Sequence, residues 1–448
     1  MKKWMSILML FVLCLTLFSG CAGAPEQESK VVTVYTLAPN AMQWSMNDVY
    51  RYTLDQFADS QEEVILDIVE FSDPAAMDAQ LLEELQQGMG PDLILYSWQN
   101  SFDLHKLAAQ GYFRDLGTYL EEDASFGRES YNEALLNEGL YGEEQLLLPL
   151  GFEIPMVLTT EERLADAGYS YEGNALSASE ILEIIADEAE RWQDDAERFG
   201  YYDLQQENSF PFFMVSSGIV RLDYENQTVE LDREALKNLV KHYNAALVEH
   251  NRAMGTIVGN PRFENDPNRR LQAATFYHCV ISPLEEMLRN AVIMEGTFGE
   301  TPILQDMPGY LDANTYYVQP LMAAVNRTSD APTAAYEVIR YLMDTPIEQG
   351  TAGMVRPSYT SANRDVAKMQ FDVAFRNATN QEPGQSEQYQ RFLAAFETMM
   401  YGEMLDMKFP TVVQSLVGAC TRTYREDPAK MDAAIDTLIE ELYSYLAE

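Results

Sequence analysis

Apolar runs and helical segments alternate over the first hundred residues, and this alternation constrains the fold more than any other feature. Three runs have the β-branched, apolar character of buried strands: VVTVYTL (31–37), EVILDIVEF (63–71) and DLILY (92–96). Helical segments are predicted between them, at 47–59 and 75–87. The second of these has four apolar residues on one face: Met77, Leu81, Leu82 and Leu85. Such alternation favours parallel strands with right-handed crossovers and ligands at the carboxyl ends of the strands.

The charge of the chain limits its partners. It has 448 residues, and 71 Asp and Glu against 30 Lys and Arg give a net charge of −41. A hydrophobic content of 47% is too high for a disordered acidic chain, so we expect two or three folded domains. The negative field repels phosphate backbones, which makes nucleic acid an unsuitable partner. Neutral or cationic small solutes remain.

The amino terminus predicts export. Lys2 and Lys3 precede a short apolar run, so residues 1–20 are expected to be a signal peptide. The run ends in LFSGC, which resembles the bacterial lipobox and makes Cys21 the predicted lipidation site, followed by a linker to residue 30. The alternative is an ordinary cleaved signal with an incidental cysteine. With lipid on Cys21, the protein would be anchored on the outer face of the cytoplasmic membrane.

The remaining cysteines and histidines give no sign of catalysis. Cys279 and Cys420 could form one disulfide or remain buried thiols, and both alternatives stay open. The sequence contains no HExxH, GxSxG or phosphate-binding GKS or GKT motif, and no cysteine pair at zinc spacing. We therefore expect no enzymatic activity, no metal and no cofactor.

Several segments are similar, in order and spacing, to one family. They are GPDL (90–93), KLAAQGYFRDL (106–116), GEEQLLLPL (142–150), RRLQAATFYHCV (269–280) and the helical pattern 334–343. Together they resemble the extracellular solute-binding proteins of family 1, which serve bacterial ATP-driven importers. The match to residues 106–116 is the longest and most specific of these.

The resemblance implies an α/β fold of two lobes, like that of periplasmic binding proteins. Each lobe would have a mainly parallel sheet flanked by helices, with the ligand cleft between the lobes. Lobe one is expected at 31–148 plus 268–318, and lobe two at 149–267 plus 319–448. The family's role further implies a monomer that hands its solute to the permease subunits of an ABC importer. Closure of the lobes would replace the solute's hydration with side chains from both.

A sugar site needs aromatic platforms and paired polar groups, and both occur after the first and third predicted strands. The candidates there are Asn40, Trp44, Ser97 and Trp98. Trp98 stands just beyond the third strand, where a parallel sheet opens to ligand. The alternative for Trp44 is packing under a loop, and that for Asn40 is a turn or a helix cap.

Further candidates lie near the expected crossings between the lobes. They are Phe152, Glu153, Tyr277, His278, Tyr316 and Tyr317. Their alternatives are ordinary: a packed phenylalanine, a solvated glutamate and core tyrosines. One member of the alternating pair at 277–278 should point into the cleft, where the family often has an aromatic residue.

These observations predict a lipid-anchored binding protein for a neutral polar solute, most readily an oligosaccharide. Two other functions stay open: a cell-surface carbohydrate-active enzyme on a similar frame, and a binding accessory of a membrane sensor. Release of reducing ends from oligosaccharides would indicate the enzyme, and neighbouring permease genes would argue against the sensor.

Overall fold

The computed structural model describes residues 30–38, 50–97, 100–153, 156–171, 176–191, 199–202, 219–257, 266–279, 284–306, 315–316, 319–351, 354–357, 359–384, 386–401, 403–404 and 411–448. The predicted signal peptide and Cys21 lie outside these ranges. No helix within them has both the length and the apolar character needed to cross a bilayer.

The first three strands coincide with the apolar runs of the sequence. In chain order the described strands are β1 (Val31–Leu37), β2 (Ile65–Phe71), β3 (Leu93–Tyr96), β4 (Leu140–Tyr141), β5 (Glu144–Gln145), β6 (Leu148–Glu153), β7 (Met156–Thr160), β8 (Phe199–Tyr202), β9 (Val220–Asp223), β10 (Thr228–Leu231), β11 (Ala274–Cys279), β12 (Pro302–Asp306), β13 (Thr315–Tyr316), β14 (Gln319–Val325), β15 (Glu348–Thr351), β16 (Met354–Pro357), β17 (Thr360–Ser361) and β18 (Glu403–Met404).

The helices occupy most of the remaining described chain. They are α1 (Arg51–Ser60), α2 (Pro74–Gln86), α3 (Leu104–Ala109), α4 (Gly117–Glu122), α5 (Glu133–Glu138), α6 (Glu161–Ala167), α7 (Ala178–Arg191), α8 (Arg233–Ile257), α9 (Pro267–Ala273), α10 (Leu284–Ile293), α11 (Pro332–Asp344), α12 (Arg364–Thr379), α13 (Glu387–Tyr401), α14 (Thr411–Glu426) and α15 (Met431–Ala447).

A six-stranded sheet, which we call the first sheet, has the order β17-β6-β14-β3-β1-β2. Strand β1 runs parallel to both of its neighbours, β2 and β3. Strand β14 is antiparallel to β3 and β6, and β17 is antiparallel to β6. The strand and helix alternation at the start of the chain therefore forms the parallel part of this sheet, as the sequence predicts.

A four-stranded sheet, the second sheet, has the order β12-β7-β11-β8. Only residues 154 and 155 separate β6 from β7, so the chain passes directly from one sheet to the other. Strand β7 is antiparallel to β11 and β12, whereas β11 is parallel to β8.

Both sheets have an apolar cluster on each face. In β14, Leu321, Ala323 and Val325 pack with helix α11, whereas Met322 and Ala324 pack with helices α2 and α3. In the second sheet, Val157, Phe276 and Ile303 pack with α7, α8 and α15, whereas Leu158 packs with α10, α12 and α13. Strands covered on both faces read as continuous apolar runs, which explains their sequences.

The sheets differ from expectation in two ways. Both are mixed rather than mainly parallel, because β7 and β14, which cross between them, are antiparallel to their neighbours. The strand pairing also departs from the predicted division. Residues 274–279 and 302–306, expected in lobe one, pair in the second sheet, and residues 319–325, expected in lobe two, pair in the first. An apolar run indicates a buried strand but does not indicate the sheet in which that strand pairs.

Candidate functional site

Four strands end at one edge of the first sheet, which we call the carboxyl edge. Strand β6 runs in the same direction as β1, β2 and β3, because β6 and β3 are both antiparallel to β14. The edge carries Leu37, Phe71, Tyr96 and Glu153, and Gln319 begins β14 there. Ligands of open sheets with parallel strands bind beyond such an edge.

The second sheet has an edge at the same place. Met156 opens β7 three positions after Glu153, so their Cα atoms are at most roughly 11 Å apart. Met156 pairs with Cys279 of β11 and Asp306 of β12, which both end their strands. The two edges therefore meet at the crossing, and a small solute lying there can contact both sheets.

Three of the predicted binding residues lie at the carboxyl edge. Ser97 directly follows β3 and is buried. The ring of Phe152 is fully buried in an apolar cluster with Leu158 and Phe371, as the packing alternative for this residue predicts. Glu153 pairs through its backbone with Gln319, and its side chain lies outside the described part of the structure.

Two more predicted residues lie on β11, at the facing edge. Tyr277 pairs with Leu158 and is partly buried against the cluster of Phe371. His278 pairs with Val157 through its backbone. Strand β11 therefore brings both residues to the crossing.

The other candidates are described only in part or not at all. Tyr316 lies in β13 and pairs with Met404, but its side chain, like that of His278, is not described. Asn40, Trp44, Trp98 and Tyr317 lie outside the described residues. Their roles in binding stay predictions. Among the residues that are described, no cluster of three or more His, Cys, Asp or Glu side chains could hold a metal ion.

A hydrogen-bonded network at the carboxyl edge was missed by the sequence analysis. The Asp78 carboxylate, on α2, accepts hydrogen bonds from Asn100 Nδ2 (3.0 Å), Ser101 N (2.6 Å) and Ser101 Oγ (2.7 Å). A signal was present: Asp78 stands three, four and seven positions before Leu81, Leu82 and Leu85, on their helical face. An acidic residue within an apolar stripe indicates a buried polar contact.

The Gly90-Pro91-Asp92 motif lies at the opposite edge of the first sheet. The Asp92 carboxylate accepts hydrogen bonds from Thr33 N (2.9 Å) and Ser329 Oγ (2.6 Å). Asn326 donates from Nδ2 to the carbonyl oxygen of Pro91 (3.1 Å). The motif therefore joins β3, β1 and the chain after β14, and it stabilises the fold at a distance from the crossing.

The carboxyl-terminal helix α15, which packs on the second sheet, also contacts α3, which packs on the first. The Tyr445 hydroxyl of α15 donates to Asp103 Oδ2 (2.6 Å), and Lys106 Nζ donates to the Tyr445 carbonyl oxygen (2.8 Å). The same ammonium lies 4.3 Å from the centroid of the Tyr445 ring. Burial and the Asp103 charge raise the pKa of Tyr445 above its usual value.

A cavity of about 610 Å³ lies near the amino end of β3, away from the crossing. Its lining is polar and of mixed charge, and includes Arg114, Asp115, Glu144, Glu225 and Arg327. Arg114 N donates to the carbonyl oxygen of Val325, which is paired with Leu93 at the start of β3. The cavity is therefore distinct from the place where the two edges meet.

Solved structures share this fold, although no family model and no curated protein matches the sequence. An ABC substrate-binding protein of Listeria monocytogenes in complex with cycloalternan has 12% identity and a TM-score of 0.55, covering 93% of this chain and 99% of its own. A solute-binding protein of Thermotoga lettingae bound with α-D-tagatose has 15% identity and a TM-score of 0.55, with 93% and 100% coverage. The sugar-binding protein of Xanthomonas citri has 14% identity and a TM-score of 0.57, with 93% and 97% coverage.

The likeness extends over almost the whole of these chains. At identities of 12 to 15% it establishes the fold, and it confirms the α/β, two-lobe architecture that the sequence resemblance implied. The chain has the fold of the extracellular solute-binding proteins of ABC transporters.

Proposed function

We propose that this chain is an exported, lipid-anchored binding protein that captures a neutral oligosaccharide and delivers it to an ABC importer. The observation that carries the proposal is the fold shared, over 93% of the chain, with proteins whose structures contain cycloalternan and α-D-tagatose. The meeting of the two sheet edges at the crossing of β6 and β7 supports it, because that is where a solute can contact both halves.

Binding would proceed by enclosure. Two lobes, redrawn to follow the strand pairing, would consist of 31–153 with 319–361 and of 156–316 with 364–448. Closure removes the solute from water, and protein hydrogen bonds and aromatic faces then replace its hydration shell. Trp98 is our first candidate for an aromatic residue that stacks on the sugar, because it follows Ser97 at the end of β3 in the sequence.

The membrane role depends on Cys21. Ten positions separate this residue from Val31, the first residue of β1, so a short linker would join the lipid to the folded body. Acylation would keep the protein beside the permease subunits that receive the solute.

A thermal-shift screen tests the proposal. The panel contains maltotriose, mannotriose, tagatose, an amino-acid mixture, a peptide mixture and spermidine. A solute that binds only the native state raises the melting temperature, because it adds RT ln(1 + [L]/Kd) to the stability. We expect a sugar to do so and calorimetry to confirm one site per chain.

A response to peptides or spermidine, with none to sugars, would contradict the carbohydrate assignment. Release of reducing ends during incubation with the same sugars would instead place the protein among enzymes. Trp98→Ala provides the matched test of the site, with Trp192→Ala as its control, because Trp192 follows the charged helix α7 and has no predicted place at the crossing.

A further inference from the structure

We propose that Asp78 is a positioning residue of the sugar site, and that its carboxylate fixes the segment 97–101, through Ser97, Asn100 and Ser101, at the carboxyl end of β3. The inference rests on the proposed function and assigns to the site a residue on α2, a helix that lies outside the predicted binding set.

Asp78 is enclosed by donors. Only 3% of the residue is exposed, and it lies on the buried face of α2 with the apolar core residues Met77 and Leu81. Oδ1 accepts from Asn100 Nδ2, whereas Oδ2 accepts from both the backbone and the hydroxyl of Ser101. A buried carboxylate is costly unless such hydrogen bonds compensate for its lost hydration.

Asn100 connects the Asp78 carboxylate to the end of β3 through hydrogen bonds. Its Oδ1 accepts a hydrogen bond from Ser97 N (2.9 Å), and its own backbone N donates to the Ser97 carbonyl oxygen (3.1 Å). Asn100 is 6% exposed. Both ends of the segment are thus tied, directly or through one amide, to a single carboxylate.

Stability alone does not account for a carboxylate at this position. An apolar side chain on the buried face of α2 would need no hydrogen-bond partners, and replacing a buried polar group together with its partners by apolar groups can be nearly neutral or stabilising. What the carboxylate adds is a defined geometry for the segment, and a binding site gains affinity when its contact groups are fixed before the ligand arrives.

Asp92 offers a closely matched control within the same sheet. Like Asp78, it accepts one backbone N–H and one serine hydroxyl, from Thr33 and Ser329. It lies at the amino end of β3, whereas Asp78 acts at the carboxyl end. Asp78→Asn turns an amide NH₂ toward Asn100 Nδ2 or Ser101 N, which are already donors, whereas Asp92→Asn removes the charge that accepts from Thr33 N and Ser329 Oγ.

The experiment compares Asp78→Asn with Asp92→Asn by calorimetry, using the panel sugar that stabilises the wild type most. Both variants should lower the melting temperature. We expect Asp78→Asn to weaken sugar binding on the order of tenfold or more, because the free energy of one hydrogen bond to a charged group corresponds to a change of that size in Kd. Asp92→Asn should leave the affinity of the folded protein unchanged. Unchanged affinity in Asp78→Asn, or equal losses in both variants, would overturn the inference.

Hydrogen exchange of the sugar-free protein separates this inference from the proposed function. We expect Asp78→Asn to accelerate exchange at the amides of Ser97 and Ser101 while leaving that of β2 unchanged; no local acceleration would refute the anchoring. A wild type that binds no sugar would defeat the proposed function, and the exchange result would still decide whether Asp78 fixes the segment. Should Asp78→Asn fail to fold, Ser101→Ala removes one of the same bonds and should show both effects in smaller measure.

Discussion

Gly90 has a backbone φ of +110°, a conformation that residues with a Cβ atom rarely adopt. The turn that it makes leads from α2 into Pro91 and β3, where Asn326 and Asp92 hold the strand in place. The positive φ is therefore the reason for a glycine at this position. Lack of space is not, because an added Cβ atom would lie 3.5 Å from Asn326 Nδ2, which is an ordinary van der Waals contact.

Gly90→Ala should lower the free energy of unfolding by about 1–2 kcal/mol, the cost of a positive φ for an alanine. Urea denaturation measures the difference. Gly296→Ala is the control, because Gly296 lies in a helical turn without positive φ and with open space around its Cβ position. Equal losses in the two variants would contradict this account of Gly90.

Asp123 is held in its charged form by several donors. Burial raises the pKa of Asp123, but hydrogen bonds from Ser125 and Arg340 outweigh it and hold that pKa well below its usual range. Arg340 Nε lies 2.8 Å from Asp123 Oδ2 and thereby ties α11 to the end of α4. A carboxylate whose pKa is lowered by folding stabilises the native state above its unfolded pKa of about 4, and this contribution is lost as the pH falls toward the native value.

Asp123→Asn should therefore cost about 1–3 kcal/mol at pH 7, the usual cost of disrupting hydrogen bonds to a charged group. The difference from the wild type should shrink as the pH falls below about 4, where the unfolded carboxyl binds a proton. Urea titrations from pH 7 to pH 3 provide the measurement. A difference that stays constant over this range would show that the charge of Asp123 contributes nothing.

At the scale of elements, sequence periodicity predicted local structure well and pairing poorly. The runs at 31–37, 63–71 and 92–96 became β1, β2 and β3, and the segment 75–87 became α2. Each of these is specified by residues close in sequence. Strand β14 is equally apolar, but its partners, β3 and β6, are more than 160 positions away, and no local signal identifies them.

The carboxyl-terminal helix provides the test at this scale. Tyr445→Phe removes only the hydroxyl that donates to Asp103, the residue that also caps α3. We expect faster hydrogen exchange in α3 and little change in the core of α15. Tyr443→Phe is the control, because Tyr443 is 46% exposed on the same helix. Unaltered exchange in α3 would mean that the contact does not hold the two halves together.

For the whole molecule, the family resemblance predicted the fold, whereas the binding roles of the site residues stay predictions. Its most recognisable residues, Gly90 to Asp92, stabilise the amino edge of β3 and say little about ligand. At the carboxyl edge, Phe152 is buried in the core. Asp78 was not predicted, because its hydrogen-bond partners, Asn100 and Ser101, lie beyond the next strand. Such residues come together only when the chain folds, so no local sequence motif indicates their contact.

The central claim is that an uncharged sugar binds where the edges of the two sheets meet. A crystal structure of the protein with the best ligand of the thermal-shift panel tests it most directly. The account predicts a sugar between the carboxyl ends of β3 and β11, in contact with residues of both sheets and close to the segment 97–101. A sugar bound to one half alone, or in the cavity lined by Arg114 and Arg327, would contradict it.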